Sequence, residues 1–68
     1  MKVYVMTEAK LFGAERYVGV KKSVSEAEKA LRKIAPYMRP AASANKETKA
    51  YVSDASNNFM LFIHEEEI

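Results

Sequence analysis

Five consecutive apolar residues, Phe59-Met60-Leu61-Phe62-Ile63, constrain this chain more than any other feature. The run is far shorter than the roughly 20 residues a membrane span requires. It is apolar at both parities of a period-two strand, so it predicts the most buried strand of a small domain. Such a strand needs cover on both faces, and a chain of 68 residues has little else to supply it. A core of this size yields only about 3 to 5 kcal/mol of net stability without a staple. The chain has no cysteine, which removes disulfides and thiolate metal sites as that staple. Close packing and self-association remain. With neither a membrane-length apolar run nor a signal peptide's apolar core, a cytoplasmic protein without membrane association is the expectation.

The chain predicts four strands and one helix. Lys2 to Glu8 is rich in β-branched and aromatic residues, with Val3, Val5 and Thr7 on one side and Tyr4 and Met6 on the other. Leu11 and Phe12, just before Gly13, predict a loop tucked over an edge of the core. Arg16 to Lys22 alternates as a second strand with Val18 and Val20 inward, Gly19 marking a bulge or an edge, and two lysines guarding that edge. Ser23-Val24-Ser25-Glu26 is a capping-box helix start, and Ser25 with Glu28 offers an overlapping one two residues later. Ala27, Ala30, Leu31, Ile34 and Met38 follow at helical spacing, and Pro36 stops the helix near Ile34 or Ala35. Residues 39–47 lack periodicity and predict a long loop. Lys49 to Ser53 predicts a third strand with Ala50 and Val52 inward, Asp54 to Asn58 a turn, and the apolar run the fourth strand.

The expected architecture is a single α+β domain over residues 1–68, a ββαββ chain whose helix packs on one face of a four-stranded sheet. The two most apolar strands belong in the centre, which gives the order 2-1-4-3. The first and fourth strands then run parallel, as in a small β-grasp fold. An all-antiparallel sheet stays open, because the loop at 39–47 can bring the third strand in from either end.

Placing Val3, Val5, Val18, Val20, Ala50, Val52, Phe59, Leu61 and Ile63 under the helix leaves Tyr4, Met6, Tyr17, Tyr51, Met60 and Phe62 on the opposite face. Six large residues on one bare face exceed what a soluble monomer usually exposes, and mark a partner-binding surface. A homo-oligomer, most simply a dimer, is the first reading of that surface and a different protein partner the second. The third is single-stranded nucleic acid, with Tyr4, Tyr17, Tyr51 and Phe62 stacking bases and Lys2, Lys21, Lys22 and Lys49 near phosphates. It ranks last because basic residues do not alternate with the aromatics.

Charge divides unevenly. Residues 1–40 carry nine Lys or Arg against four Glu, and residues 41–68 carry two Lys against five acids. Lys21, Lys22, Lys29, Arg32, Lys33 and Arg39 are candidate polyanion contacts, although a solvated helix face is the plainer reading for those on the helix. His64 with Glu65, Glu66 and Glu67 reads more simply as a solvated acidic tail than as a metal or acid–base site. With one histidine and two glycines, no Ser-His-Asp set and no glycine-rich phosphate loop can be assembled. The residues therefore predict a non-enzymatic interaction module without metal or cofactor. Over Met1 to Thr7 and Lys21 to Ala30, the chain resembles a loose group of very short uncharacterised phage and bacterial proteins that open on a Val/Tyr-rich strand and enter a helix through Ser-x-x-Glu. The resemblance implies a small mobile-element or regulatory protein and assigns no site residue.

Overall fold

The computed structural model describes residues 1–10, 14–42, 45–53 and 59–68. Its elements run β1 (Lys2–Lys10), β2 (Glu15–Lys21), α1 (Val24–Ile34), β3 (Arg39–Ala41), β4 (Thr48–Val52) and β5 (Phe59–Glu67). They form one five-stranded sheet in the order β2-β1-β5-β4-β3, with every neighbouring pair antiparallel. The chain is α+β, with the apolar run at the centre of the sheet beside β1. The loop expected at Leu11, Phe12 and Gly13 and the turn expected at 54–58 fall outside the described residues.

Two expectations about the sheet are corrected, and both trace to β3. The stretch expected to be a long loop contributes a three-residue strand, with Arg39 opposite Val52 and Ala41 opposite Ala50. It has no periodic signal because it is too short to show one, and Pro40 is tolerated because β3 lies at the sheet edge. An added strand also reverses the direction of everything after it. With β3 inserted, β5 runs opposite to β1, and the parallel, β-grasp-like centre gives way to an antiparallel one. The contact between these two strands extends from Lys2 opposite Glu67 to Lys10 opposite Phe59.

The acidic segment is also strand, with Glu66 and Glu67 still exposed to solvent. Glu65 to Glu67 pair with Lys2 to Tyr4, and the Lys2 Nζ lies 3.4 Å from Glu65 Oε2. Cross-strand opposite charges of this kind favour the pairing. On the other side of β5, the amide of Glu65 donates to the carbonyl of Glu47 at 2.7 Å.

Helix α1 starts where its capping residues predict. Ser23 is the N-cap, and its hydroxyl accepts from the Glu26 amide at 3.2 Å. The amide of the C-cap residue Ala35 donates to the carbonyl of Leu31 at 2.8 Å before Pro36 ends the run. The buried helix positions are Ala27, Leu31 and Ala35, whereas Ile34 is 46% exposed. Ala35 therefore takes the inward place expected for Ile34.

The side of the sheet under the helix also differs from expectation. Met6, Tyr51, Leu61 and Ile63 pack there with Ala27, Leu31, Ala35 and Met38, and Tyr4, Val18 and Phe59 pack against that cluster. Residues directly opposite in an antiparallel pair share a face. Met6 opposite Ile63 and Tyr51 opposite Leu61 thus follow β5 to the helix side. Volume gives the reason. The helix offers mainly alanines, so the sheet must supply the bulk, and Tyr4, Met6 and Tyr51 fill the gap better than Val3, Val5 and Ala50. In β1 and β4 both faces are apolar, and a shift of one residue exchanges them completely.

Candidate functional site

The uncovered face of the sheet can be laid out from the strand register. Along β5 it carries Met60, Phe62, His64 and Glu66. Opposite them on β1 are Ala9, Thr7, Val5 and Val3. Beyond β1, the edge strand β2 adds Glu15, Tyr17 and Val20, and on the other side β4 adds Val52, Ala50 and Thr48. Arg39 and Ala41 of β3 complete the last column. Among the described residues nothing packs over this face. Met60 and Phe62 are half-buried by their neighbours in the sheet, while Val20 and Tyr17 are 46% and 64% exposed.

Of the six predicted partner-binding residues, the face brings together Tyr17, Met60 and Phe62. Tyr4, Met6 and Tyr51 are corrected to the helix side, where Met6 and Tyr51 are 3% and 5% exposed and belong to the core. Tyr51 also donates its hydroxyl to Glu28 Oε1 at 3.0 Å. Burial, with that hydrogen bond and the Glu28 charge, pushes its phenol up to about 12, partly opposed by Arg32.

The middle of the face is polar, through a group that sequence reasoning missed. His64 Nε2 lies 2.6 Å from Glu15 Oε1 and 3.2 Å from Thr7 Oγ1, and Nδ1 lies 3.1 Å from Thr48 Oγ1. Thr7 also donates its hydroxyl to Glu15 Oε1. A carboxylate can only accept, so the network assigns a proton to Nε2. The Glu15 carboxyl sits below its ordinary 4.5, held there first by the Thr7 hydroxyl and then by the His64 hydrogen bond, against an opposing effect of burial, with the His64 charge the least of the four influences. The Phe62 and His64 rings stack with centroids 5.8 Å apart. These residues come from four strands, and only the register unites them. The partner of His64 is thus Glu15, not the neighbouring Glu66.

Thr48, His64 and Glu15 stand in the chemical order of a nucleophile, a base and an orienting acid. Three surface hollows among the described residues lie elsewhere. One is bounded by Glu8, Lys10, Ala14 and Arg16, another by Tyr4, Val24, Lys46, Glu47, Lys49, Ile63 and Glu65, and a third by Glu28, Arg32, Pro40, Lys49 and Tyr51 with its neighbours. None of the three opens on His64. Among the described residues no three His, Asp or Glu side chains gather as metal ligands, and no helix is long and apolar enough to cross a membrane.

The candidate polyanion contacts do not form one patch. Lys21 and Lys22 lie at the end of edge strand β2, Lys29, Arg32 and Lys33 along the exposed side of α1, and Arg39 at the opposite edge of the sheet. Register places Lys2, Lys21 and Lys49 on the helix side, with Tyr4 and Ile63. Among the described residues Arg39 is the one Lys or Arg that strand pairing places on the uncovered face, with Lys22 just beyond the end of β2, so no continuous basic rim borders the stacking rings. No protein-family model matches the chain, and no curated protein or solved structure matches it.

Proposed function

We propose that this protein is a non-enzymatic interaction module whose contact surface is the uncovered sheet face, centred on Met60 and Phe62 and bounded by Val5, Val20, Val52 and Tyr17. One observation carries this reading. The central strand turns Leu61 and Ile63 under the helix, at 0% and 1% exposure, and turns Met60 and Phe62 to a face over which, among the described residues, no second layer packs. At about 25 cal/mol per Å², covering even 400 Å² of apolar surface is worth roughly 10 kcal/mol before the costs of association. Interface cores favour Tyr, Phe, Met and Arg, and Tyr17, Phe62, Met60 and Arg39 supply one of each on this face, set among valines, alanines and threonines.

The test uses a soluble paramagnetic probe on dilute protein, read from side-chain proton relaxation. The Met60 methyl and the Phe62 ring should be broadened strongly, while Met6, Leu31, Leu61 and Ile63 stay sharp. Protection of Met60 and Phe62 equal to that of Leu61 in the monomer would overturn the reading.

A further inference from the structure

Building on that reading of the face, we infer that its occupant is a second copy of this chain, docked sheet against sheet about a two-fold axis running nearly along β5. The alternative site for self-association, the sheet edge, is poorly suited to it. At the β2 edge the register shifts between Met6 and Thr7, which face Gly19 and Tyr17, so Val18 is an extra residue in a bulge. Bulges and edge lysines both resist strand addition, and Lys21 and Lys22 follow the bulge directly. The other edge, β3, is three residues long and contains Pro40. Self-association is thereby directed to the face.

The face is complementary to itself in this orientation. A two-fold along the strands keeps each row and exchanges the two sides of the sheet, so β2 of one copy lies over β3 of the other. Met60 and Phe62 then meet their own counterparts on the axis. Tyr17, large and exposed, meets the small Ala41, while Thr7 meets Ala50 and Ala9 meets Val52. Glu15, at one end of its row, meets Arg39 at the other. Oε1 of Glu15 already serves Thr7 and His64 and Arg39 already has an interaction within its own chain, but a carboxylate's acceptor sites and a guanidinium's five donors leave capacity for this further pair.

A two-fold across the strands, centred on the Phe62 row, instead sets Glu15 against Val20 and buries its charge without a cation. The first orientation is preferred because it gives Glu15 a cation, and the like-charged meeting of Glu66 with its own counterpart that it also brings falls at the exposed end of β5. Aligned sheets usually cross at about 30°, which tilts the axis about 15° from β5; the pairings on the axis are kept, and those at the outer strands are offset by several Å, within the reach of the long Arg39 side chain. Five strands about 4.8 Å apart and four rows of facing residues give roughly 500 Å² per copy, or about 1,000 Å² in total, which reaches the lower limit for a specific interface.

The experiment is a dilution series of the intact chain in analytical ultracentrifugation. The protein should sediment at twice 7.7 kDa when concentrated and dissociate on dilution. Phe62→Asp should abolish the dimer, with circular dichroism verifying that the chain remains folded. Arg39→Glu and Glu15→Lys should each weaken association by about tenfold or more, and the double exchange should recover most of it. A dimer that persists in Phe62→Asp, or a double exchange no tighter than either single change, overturns the inference. So does a wild-type monomer at every concentration. If Met60 and Phe62 are then open to the paramagnetic probe, the contact surface stands and its occupant is another protein; if they are closed, the surface itself fails.

Discussion

Tyr51 offers a quantitative check on which face of the sheet is covered. On the uncovered face its phenol would titrate in water. Beneath the helix its ring is 5% exposed and its hydroxyl donates to Glu28, and the phenol is pushed up to about 12 from an ordinary 10. The folded state then holds the proton more tightly than the unfolded chain. This contribution is complete below pH 10 and is lost as pH rises towards 12. Its full extent is at most about 2.7 kcal/mol, of which about 1.4 is gone by pH 11. Tyr51→Phe keeps the ring and removes the hydroxyl, which costs about 1 kcal/mol at neutral pH because Glu28 is only half-buried and water can replace the lost donor. Urea unfolding of both proteins as a function of pH should therefore give two curves that cross near pH 11, with wild type the more stable below and the variant above. Subtracting the curves cancels other alkaline titrations common to both proteins. Phenolate absorbance should show one tyrosine ionising near 12. Parallel stability curves, with no tyrosine titrating late, would refute the burial of Tyr51 and with it the assignment of faces.

Further outcomes follow from the same structure. Leu61→Ala should cost about 2 to 5 kcal/mol in urea unfolding, whereas Phe62→Ala, measured in dilute monomer, should cost clearly less, because one side chain fills the core and the other faces outward. Ser23→Ala should lose about 1 kcal/mol through the Glu26 amide it leaves uncapped. The Glu15 carboxyl is lowered in the fold, so its contribution is present above pH 4.5 and is lost as pH falls through its lower folded value. Glu15→Gln should accordingly flatten the acid limb of the stability curve below pH 4.5. Its side chain is 46% exposed, so the change in that limb should be modest.

Much of this fold is legible in the residues because local chemistry and tertiary packing agree. The Ser23 cap, the proline stop after Ala35, the central place of the apolar run and the irregularity at Gly19 all rest on signals within a few residues. What is not legible depends on parity. A three-residue strand containing Pro40 has no period of its own, yet its presence reverses the direction of β4 and β5. In β1 and β4, both apolar at each parity, the pattern leaves the inward side undecided. One clue to the faces does lie in the sequence: the small inner surface of Ala27, Ala30 and Ala35 calls for large partners, which only Tyr4, Met6 and Tyr51 supply. The outward placement of Met60, Phe62 and Tyr17 is legible from alternation alone. The union of His64 with Glu15, Thr7 and Thr48 joins residues up to 57 positions apart and emerges only from the register.

Methionine oxidation tests the central claim most directly, because Met60 lies on the proposed contact face and Met6 under the helix. The rate of sulfoxide formation by peroxide at each residue, measured by mass spectrometry over a range of protein concentrations, separates the two. Met6 should react slowly throughout, and Met60 should react quickly in dilute protein and progressively more slowly as concentration rises. A Met60 rate as slow as that of Met6 in dilute protein, or one unchanged across the range, would contradict a sheet face that serves to bind a second copy.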